Sequence, residues 1–297
     1  MKIGVLMGGV STERDVSLNT GKAMLVALEN LGYQSTSIIL NDSVREIIPQ
    51  LNRVDGVLIA LHGGDGENGV IQGLLDLLHI PYSGSGPHAS SICMDKHISK
   101  VIAEYNGLKT PPWVQISKNE VPKQLPFGFP VVVKPVDQGS TVGLSVVDSH
   151  DGLNHGLDTA FAYSDLVMIE KFIAGRELTV TILGEKAYPI VEIIPSHELY
   201  DYECKYSKGL SEYVSPAKLP DTLTQEIQLA SEKIFELLKC RHYGRADYRL
   251  DTKGNFWFLE MNTLPGMTET SLVPKSVQAA GMSFEQLIQF LVENSIQ

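Results

Sequence analysis

The stretch Arg245-Ala-Asp-Tyr-Arg-Leu-Asp-Thr-Lys-Gly-Asn-Phe-Trp-Phe-Leu-Glu-Met-Asn262 decides how this chain is read. Both arms alternate polar and apolar residues, the period of a half-buried strand. Lys253-Gly254 between them predicts a two-residue hairpin turn, because Gly accepts positive φ. That register sets Asp247 opposite Glu260 and Arg245 opposite Asn262 on one face of the ribbon. Two carboxylates across a ladder repel, so a stable fold needs positive charge between them. Oxygens of Asp, Glu and Asn are what a divalent cation such as Mg²⁺ takes. The alternative is a solvated face neutralised by Arg245 and Arg249.

The chain has 297 residues, more than one average domain, so two or three compact units are expected. Its 24 basic against 35 acidic side chains give a formal net charge of -11. A nucleic acid or an anionic membrane is therefore not the expected partner, although a local basic pocket for phosphates stays open. Cys93, Cys204 and Cys240 are scattered, with no Cys-x-x-Cys spacing. They read as reduced thiols of a cytosolic protein, not as a disulfide framework or a zinc site. The apolar run at residues 3–7 is too short for a signal-peptide core, and no run approaches a membrane span. The expectation is a soluble, cytoplasmic protein.

Over roughly the first ninety residues, strands at 2–7, 36–40 and 57–61 alternate with helices at 17–31, 44–51 and 70–78, an order that means a parallel sheet with helical crossovers. Thr110-Pro-Pro112 and the stretch 122–130 then break any helix and read as connecting loops. Strands at 131–134, 144–147 and 167–172 with a helix at 152–162 make a small α+β unit. Strands at 178–183 and 187–194 follow, then a polar Tyr-rich loop at 197–215. A long helix at 223–238 leads into the hairpin, and a terminal helix starts at Phe284.

Several loops carry candidate chemistry. Met7-Gly-Gly-Val-Ser-Thr-Glu-Arg14 lies at the carboxyl end of a strand, where an α/β sheet places ligands, but it lacks the third glycine of the dinucleotide fingerprint. A nicotinamide dehydrogenase is thereby disfavoured, and Glu13-Arg14 reads either as a ligand contact or as a solvated pair. His62-Gly-Gly-Asp-Gly-Glu-Asn-Gly69 lets backbone approach a ligand; His62 could equally be a structural hydrogen-bonder. Asp137-Gln-Gly-Ser-Thr-Val-Gly143 follows Lys134-Pro135, so its N–H groups could wrap phosphate oxygens beside a fixed cation. A plain hairpin turn is the competing reading. Glu170-Lys-Phe-Ile173 and Glu177 could receive an adenine and a ribose, or form a surface ion pair. Tyr200-Asp-Tyr-Glu-Cys-Lys-Tyr206 reads as a lid over an active site, or as an aromatic contact for a partner protein.

Taken together, these pieces resemble the ATP-grasp superfamily, and specifically the D-alanine–D-alanine ligases. The markers run in order: Gly8-Gly-Val-Ser-Thr-Glu-Arg14, His62-Gly63, Met94-Asp-Lys96, Lys134-Pro135 with Gly139-Ser140, Tyr200 to Tyr206, Gly244-Arg-x-Asp247 and Glu260-x-Asn-Thr-x-Pro-Gly-Met267. The resemblance implies α/β and α+β units in a three-domain ATP-grasp architecture: an N-terminal parallel-sheet domain (1–93), a central subdomain (94–177), and a C-terminal catalytic domain (178–297) with a lid near 197–215. The last two would clamp ATP. It implies ligation of two D-alanine molecules through a D-alanyl phosphate, for peptidoglycan synthesis, by a homodimer using ATP and two Mg²⁺ (or Mn²⁺) ions.

Residue by residue, the resemblance puts Glu13, Ser140, Tyr206, Arg245 and Gly266 in the catalytic machinery. Glu13 would hold the first D-alanine's ammonium, and Glu13, Ser140 and Tyr206 would form a hydrogen-bonded trio. Arg245 and the Gly266 N–H would steady the tetrahedral oxyanion. Nucleotide contacts fall to Lys96, Lys134, Glu170, Lys171, Ile173, Glu177 and Lys205, and metal ligation to Asp247, Glu260 and Asn262. His62, Ser271 and Leu272 complete the substrate contacts. Two positions depart from the pattern: Thr141 replaces a Ser and keeps the hydroxyl, while Asn68 replaces an Asp and removes a carboxylate near His62. An acceptor other than D-alanine (D-lactate or D-serine) is the rival within enzymes, and an ATP-binding protein without turnover the rival outside them.

Overall fold

The computed structural model describes residues 1–118, 120, 124–195, 211–268 and 270–296. β1 (Lys2–Gly8) is buried along nearly its whole length, as a strand covered on both faces must be. It is the centre of a parallel sheet of order β2-β1-β3, between β2 (Gln34–Leu40) and β3 (Gly56–Ile59). The crossover α1 (Arg14–Asn30) buries Ser17, Thr20, Gly21, Met24, Ala27 and Leu28, a stripe at helical spacing. Residues 44–51 form a 3₁₀ turn (Val44–Glu46) and then α2 (Ile48–Leu51), not the single expected helix. α3 (Val70–Leu77) completes the first unit. β1 must end at Gly8: its φ is +96°, and a Cβ there would lie 2.6 Å from the Leu40 carbonyl oxygen.

α4 (Pro87–Met94) and α5 (Lys96–Tyr105) follow head to tail. Asp95 between them caps α5 by accepting the Ile98 N–H at 2.9 Å. The chain then builds an antiparallel sheet of order β4-β7-β5-β6 from β4 (Trp113–Ser117), β5 (Val131–Pro135), β6 (Ser145–Val147) and β7 (Leu166–Lys171). α6 (His150–Phe161) covers it with Leu153, Leu157 and Ala160.

The third sheet runs β11-β10-β8-β12-β13, with β9 against β8. Its strands are β8 (Arg176–Leu183), β9 (Lys186–Ala187), β10 (Val191–Pro195), β11 (Ser211–Val214), β12 (Tyr243–Leu250) and β13 (Phe256–Asn262). α7 (Asp221–Leu237) packs Ile227, Ile234 and Phe235 on it. α8 (Leu272–Ala279) and α9 (Phe284–Ser295) return to the first sheet, where Leu287, Ile288, Leu291 and Val292 share a core with Ile3 and Leu28. Ser283 and Gln286 start α9 with a reciprocal capping box.

Three further expectations need correcting. The strand expected at 187–194 is split into β9 and β10 around Pro189, which has no N–H to give a ladder. Residues 211–214 of the expected loop are β11, paired with β10. Its tyrosine segment, with Lys205 and Tyr206, lies outside the described residues. The hairpin does not turn on two residues: Asp251 N–H bonds Asn255 O at 2.9 Å, leaving Thr252, Lys253 and Gly254 as a three-residue loop with Gly254 at φ +82°. Asp247 still pairs with Glu260 because a β-bulge at Leu259 absorbs the extra residue: Tyr248 faces Phe258 and Asp247 faces Glu260. Among the described residues the cysteines are thiols, as expected, with Cys93 and Cys240 sulfurs 3.6 Å apart.

Candidate active site

The two Gly-rich loops after β1 and β3 meet where the first sheet changes strand order, the place an open α/β sheet offers to ligands. Ser11 Oγ donates to the His62 carbonyl at 2.5 Å. Arg14 turns back into its own loop, donating to Gly9 O at 2.7 Å and Leu40 O at 2.9 Å. It is a clamp of that turn, and its neighbour Glu13 points the other way. Glu13 is 7% exposed and accepts the Ser140 hydroxyl from the phosphate-loop candidate. His62 is held from both ring nitrogens, Nε2 by Thr20 Oγ1 at 3.1 Å and Nδ1 by Glu67 at 3.4 Å. Asn68 instead engages Asp65 and caps Val70 N–H at 3.1 Å, so the carboxylate that steadies His62 is Glu67.

Glu13, His62, Glu67 and Ser140 form one wall of a cleft of about 490 Å³. Its other wall comes from the ends of β13 and α8. There Asn262 Oδ1 accepts the Leu264 N–H at 3.0 Å, and Ser271 Oγ accepts the Thr268 N–H at 3.1 Å. A side chain at Gly266 would put its Cβ 2.9 Å from Ser271 Oγ, so only Gly leaves its backbone open here. Leu272 opens α8 at the same rim, where free helix N–H groups favour an anion.

A second, narrower cleft of about 140 Å³ lies between the second and third sheets. Val132, Val142, Leu144, Phe172 and Leu259 give it apolar walls. The bulge explains why adjacent Leu259 and Glu260 both reach it. Lys171, Ile173 and Glu177 line one end. Arg249 donates to Ile173 O at 3.1 Å and to Glu177 at 3.1 Å, so it serves this edge and not the Asp247–Glu260 pair. Ser140 and Thr141 stand at φ 51° and 64°, left-handed values of the kind that build anion-binding backbone concavities.

The carboxylates of the hairpin have positive partners in the chain itself. Arg245 grips Asp247 through two bonds of 2.8 and 2.7 Å, and Thr179 Oγ1 adds a third at 2.7 Å. Lys96 lies 3.3 Å from Glu260 and donates to Gln138 O at 2.6 Å. Deeper in, Glu170 is 3% exposed and bridges two lysines, Lys134 on one oxygen at 2.5 Å and Lys100 on the other. Burial alone would raise its pKa, but the two ammonium charges outweigh it and hold the carboxyl at about 2. Burial lowers the Lys100 ammonium to about 8 against the opposing pull of Glu170.

Glu13, His62, Gly266, Ser271, Leu272 and Asn262 thus line the wide cleft, and Lys134, Glu170, Lys171, Ile173, Glu177 and Asp247 the narrow one. Lys96, Gly139, Ser140, Arg245 and Glu260 line both. Sequence reasoning missed Lys100 and Thr179, and named Arg249 only as a neutraliser of the hairpin carboxylates. Lys100 had one available signal, its place one helical turn after Lys96.

Two antiparallel sheets holding a slot with lysines at its base, beside a parallel-sheet unit that shares its opening, define an ATP-grasp protein. Known proteins narrow this. The sequence profile of the D-ala D-ala ligase C-terminus matches residues 101–293, and that of the D-ala D-ala ligase N-terminus matches 41–85. A D-alanine–D-alanine ligase of Syntrophotalea carbinolica is 46% identical over 97% of this chain and 94% of its own length. The ligase of Bacillus anthracis complexed with ATP superposes with a TM-score of 0.87 at 39% identity, covering 99% of this chain and 97% of the other. The VanG D-Ala:D-Ser ligase of Enterococcus faecalis also superposes, with a TM-score of 0.84 at 27% identity, over 98% of each chain. The chain belongs to the D-alanine–D-alanine ligase family.

Proposed function

We propose that the chain joins two D-alanine molecules into D-alanyl-D-alanine, a peptidoglycan precursor, at the expense of one ATP. The observation that carries this reading is the shared wall. Two clefts of different character, one for a nucleotide and one for small zwitterions, meet at Lys96, Gly139, Ser140, Arg245 and Glu260. A carboxylate of one D-alanine in the wide cleft attacks the γ-phosphorus of ATP in the narrow one. The O–P bond forms as the bond to the β-phosphate oxygen breaks, and ADP leaves. The deprotonated amine of the second D-alanine then attacks the acyl carbon of the D-alanyl phosphate. The tetrahedral species collapses with loss of phosphate.

Each residue has a physical task. Glu13, buried and acceptor-only, suits the first ammonium, and Ser271 with the N-terminus of α8 suits the second carboxylate. Lys96 and Lys134 neutralise phosphate charge, which with positioning is most of the work in phosphoryl transfer. Arg245 and the Gly266 N–H face the oxyanion. Lys205 and Tyr206 are assigned to the nucleotide and to the trio with Glu13 and Ser140 on family resemblance.

Asp247, Glu260 and Asn262 fit two Mg²⁺ or Mn²⁺ ions. Their donors are all oxygen, they come from facing strands, and Asn262 Oδ1 keeps a lone pair beyond its bond to Leu264. Such ions, once bound, supply charge neutralisation on the transferred phosphoryl group.

ADP release in a coupled assay with ATP, Mg²⁺ and D-alanine, with L-alanine, D-serine and D-lactate as alternatives, tests the proposal. Turnover should require D-alanine; its absence overturns the reading, and turnover only with a second acceptor transfers it to that product. We read the enzyme as a cytoplasmic homodimer in three units (1–93, 94–177 and 178–297). Sedimentation, cell fractionation and limited proteolysis check those points in turn. Among the described residues, no helix is long and apolar enough to cross a membrane.

A further inference from the structure

Among the described residues, Lys100 is the lysine of the nucleotide region that lines neither cleft. It projects from α5 one turn beyond Lys96, on the same helix face, and is 0% exposed. Its Nζ meets Glu170, whose other oxygen takes Lys134 at 2.5 Å. Trp113, paired across the β4–β7 ladder from Glu170, lays its ring 5.1 Å from the same Nζ. A buried ammonium costs several kcal/mol of desolvation, and a packing role there would be met by Met or Leu. What Met or Leu would not supply is the charge.

Counting charge shows what that does. With Lys100 the cluster holds two cations and one anion, and Lys134 is the member that lines the nucleotide cleft. Without Lys100, Glu170 would cancel Lys134, and phosphate oxygens arriving in the cleft would meet a neutral pair. We propose that Lys100 is a positioning residue for nucleotide binding: it neutralises Glu170 from behind, so that Lys134 keeps a net positive charge, held in place, for the phosphates. The proposal rests on reading the narrow cleft as the ATP site. Lys100 touches no substrate and acts through Glu170 and Lys134.

The test uses the whole enzyme with MgADP binding by calorimetry, which needs no turnover, together with the KM of each substrate. In Lys100→Met the MgADP affinity and the KM for ATP should each worsen roughly tenfold or more, the cost of one unit of charge near a phosphate at effective protein dielectric. The KM for D-alanine should stay within about twofold, a split that a loss of general packing would not produce. Lys100→Arg keeps a cation against Glu170, so its MgADP affinity should stay within about threefold of wild type. Unchanged nucleotide affinity in Lys100→Met overturns the proposal. So does a Lys100→Arg variant that folds as wild type yet binds MgADP as weakly as Lys100→Met. Should Lys100→Met fail to fold, Lys100→Gln takes its place, since its amide can donate to Glu170 without carrying the charge: unchanged MgADP affinity in it overturns the proposal. Wild-type enzyme that binds MgADP but never turns over D-alanine overturns the ligase reading and leaves this one standing.

Discussion

Glu170 on β7 and Glu260 on β13 belong to different sheets and line the same nucleotide cleft, yet their surroundings differ in kind. Glu170 is 3% exposed with a lysine on each oxygen, and its charge is more than matched inside the protein. Glu260 keeps 31% of its side chain exposed, and Asp247 opposite it keeps 15%. Their partners Lys96 and Arg245 also line both clefts, where a ligand can compete for them. The first carboxylate is part of the scaffold that aims Lys134. The second pair is chemistry left available. Removing Glu170 should therefore be felt in folding, and removing Glu260 or Asp247 in turnover.

The largest expected effect is on rate. Glu260→Ala or Asp247→Ala should lower D-alanine-dependent ADP release by roughly 10³-fold or more, the scale of losing a group that stabilises developing charge. Urea unfolding of Glu260→Ala should stay within about 1 kcal/mol of wild type, because the side chain is part-exposed and Lys96 keeps its bond to Gln138 O. Near-wild-type turnover in either variant would break the comparison from the functional side. Glu170→Ala tests the other side. It strands two cations with little access to water and should cost about 3–5 kcal/mol in the same urea experiment. A cost below about 1 kcal/mol would mean that the buried cluster is not structural at all.

The same contrast appears in pH. Glu170 is held at about 2 against an ordinary value of 4.5, so its folded-state pKa lies below its unfolded one. Its contribution is then complete above the unfolded value and disappears as pH falls through the folded value. Urea midpoints of the wild type should fall between pH 4.5 and 2 more steeply than those of Glu170→Gln. Parallel curves would remove the carboxylate from the account of acid stability. A smaller effect belongs to Ser140, whose hydroxyl ties the phosphate loop to Glu13 across the mouth shared by the clefts. Ser140→Ala should reduce kcat by roughly tenfold with unfolding unchanged; a wild-type kcat would show that the loop needs no such tie.

The sequence made some of this legible and hid the rest for identifiable reasons. β1 and the first parallel unit were readable because the buried strands are apolar and α1 still carries apolar residues at helical spacing, Met24, Ala27 and Leu28 among them. The motif loops were readable because glycine and charge stand out. α5 was not, because its buried face is Lys96, Ser99, Lys100 and Ala103: helical spacing is present, but the residues that occupy it are polar. A search for apolar periodicity passes over a helix whose core-facing groups serve a charge cluster. The roles of Arg14 and Arg249 were hidden differently, since each depends on carbonyls brought close only by the fold, joined for Arg249 by the Glu177 carboxylate. The Asp247–Glu260 pairing was inferred correctly from a wrong turn, because a bulge residue looks like any other strand residue.

That bulge yields the smallest and most discriminating test. Gly254 sits at φ +82° in the three-residue loop, with no atom near the position a Cβ would take. Gly254→Ala should therefore cost about 1 kcal/mol of stability, from the left-handed backbone alone. If the register of Asp247 and Glu260 were set by the turn, strain at Gly254 would run down the ribbon and raise the KM for ATP. The structure places the register change at Leu259, between the turn and the carboxylates, where it can absorb that strain. Kinetic constants of Gly254→Ala should then match wild type at a temperature where both are folded. A raised KM for ATP with unchanged D-alanine KM would show instead that the hairpin transmits its turn geometry to the site, and that the exposed carboxylates are less independent of the scaffold than Glu170.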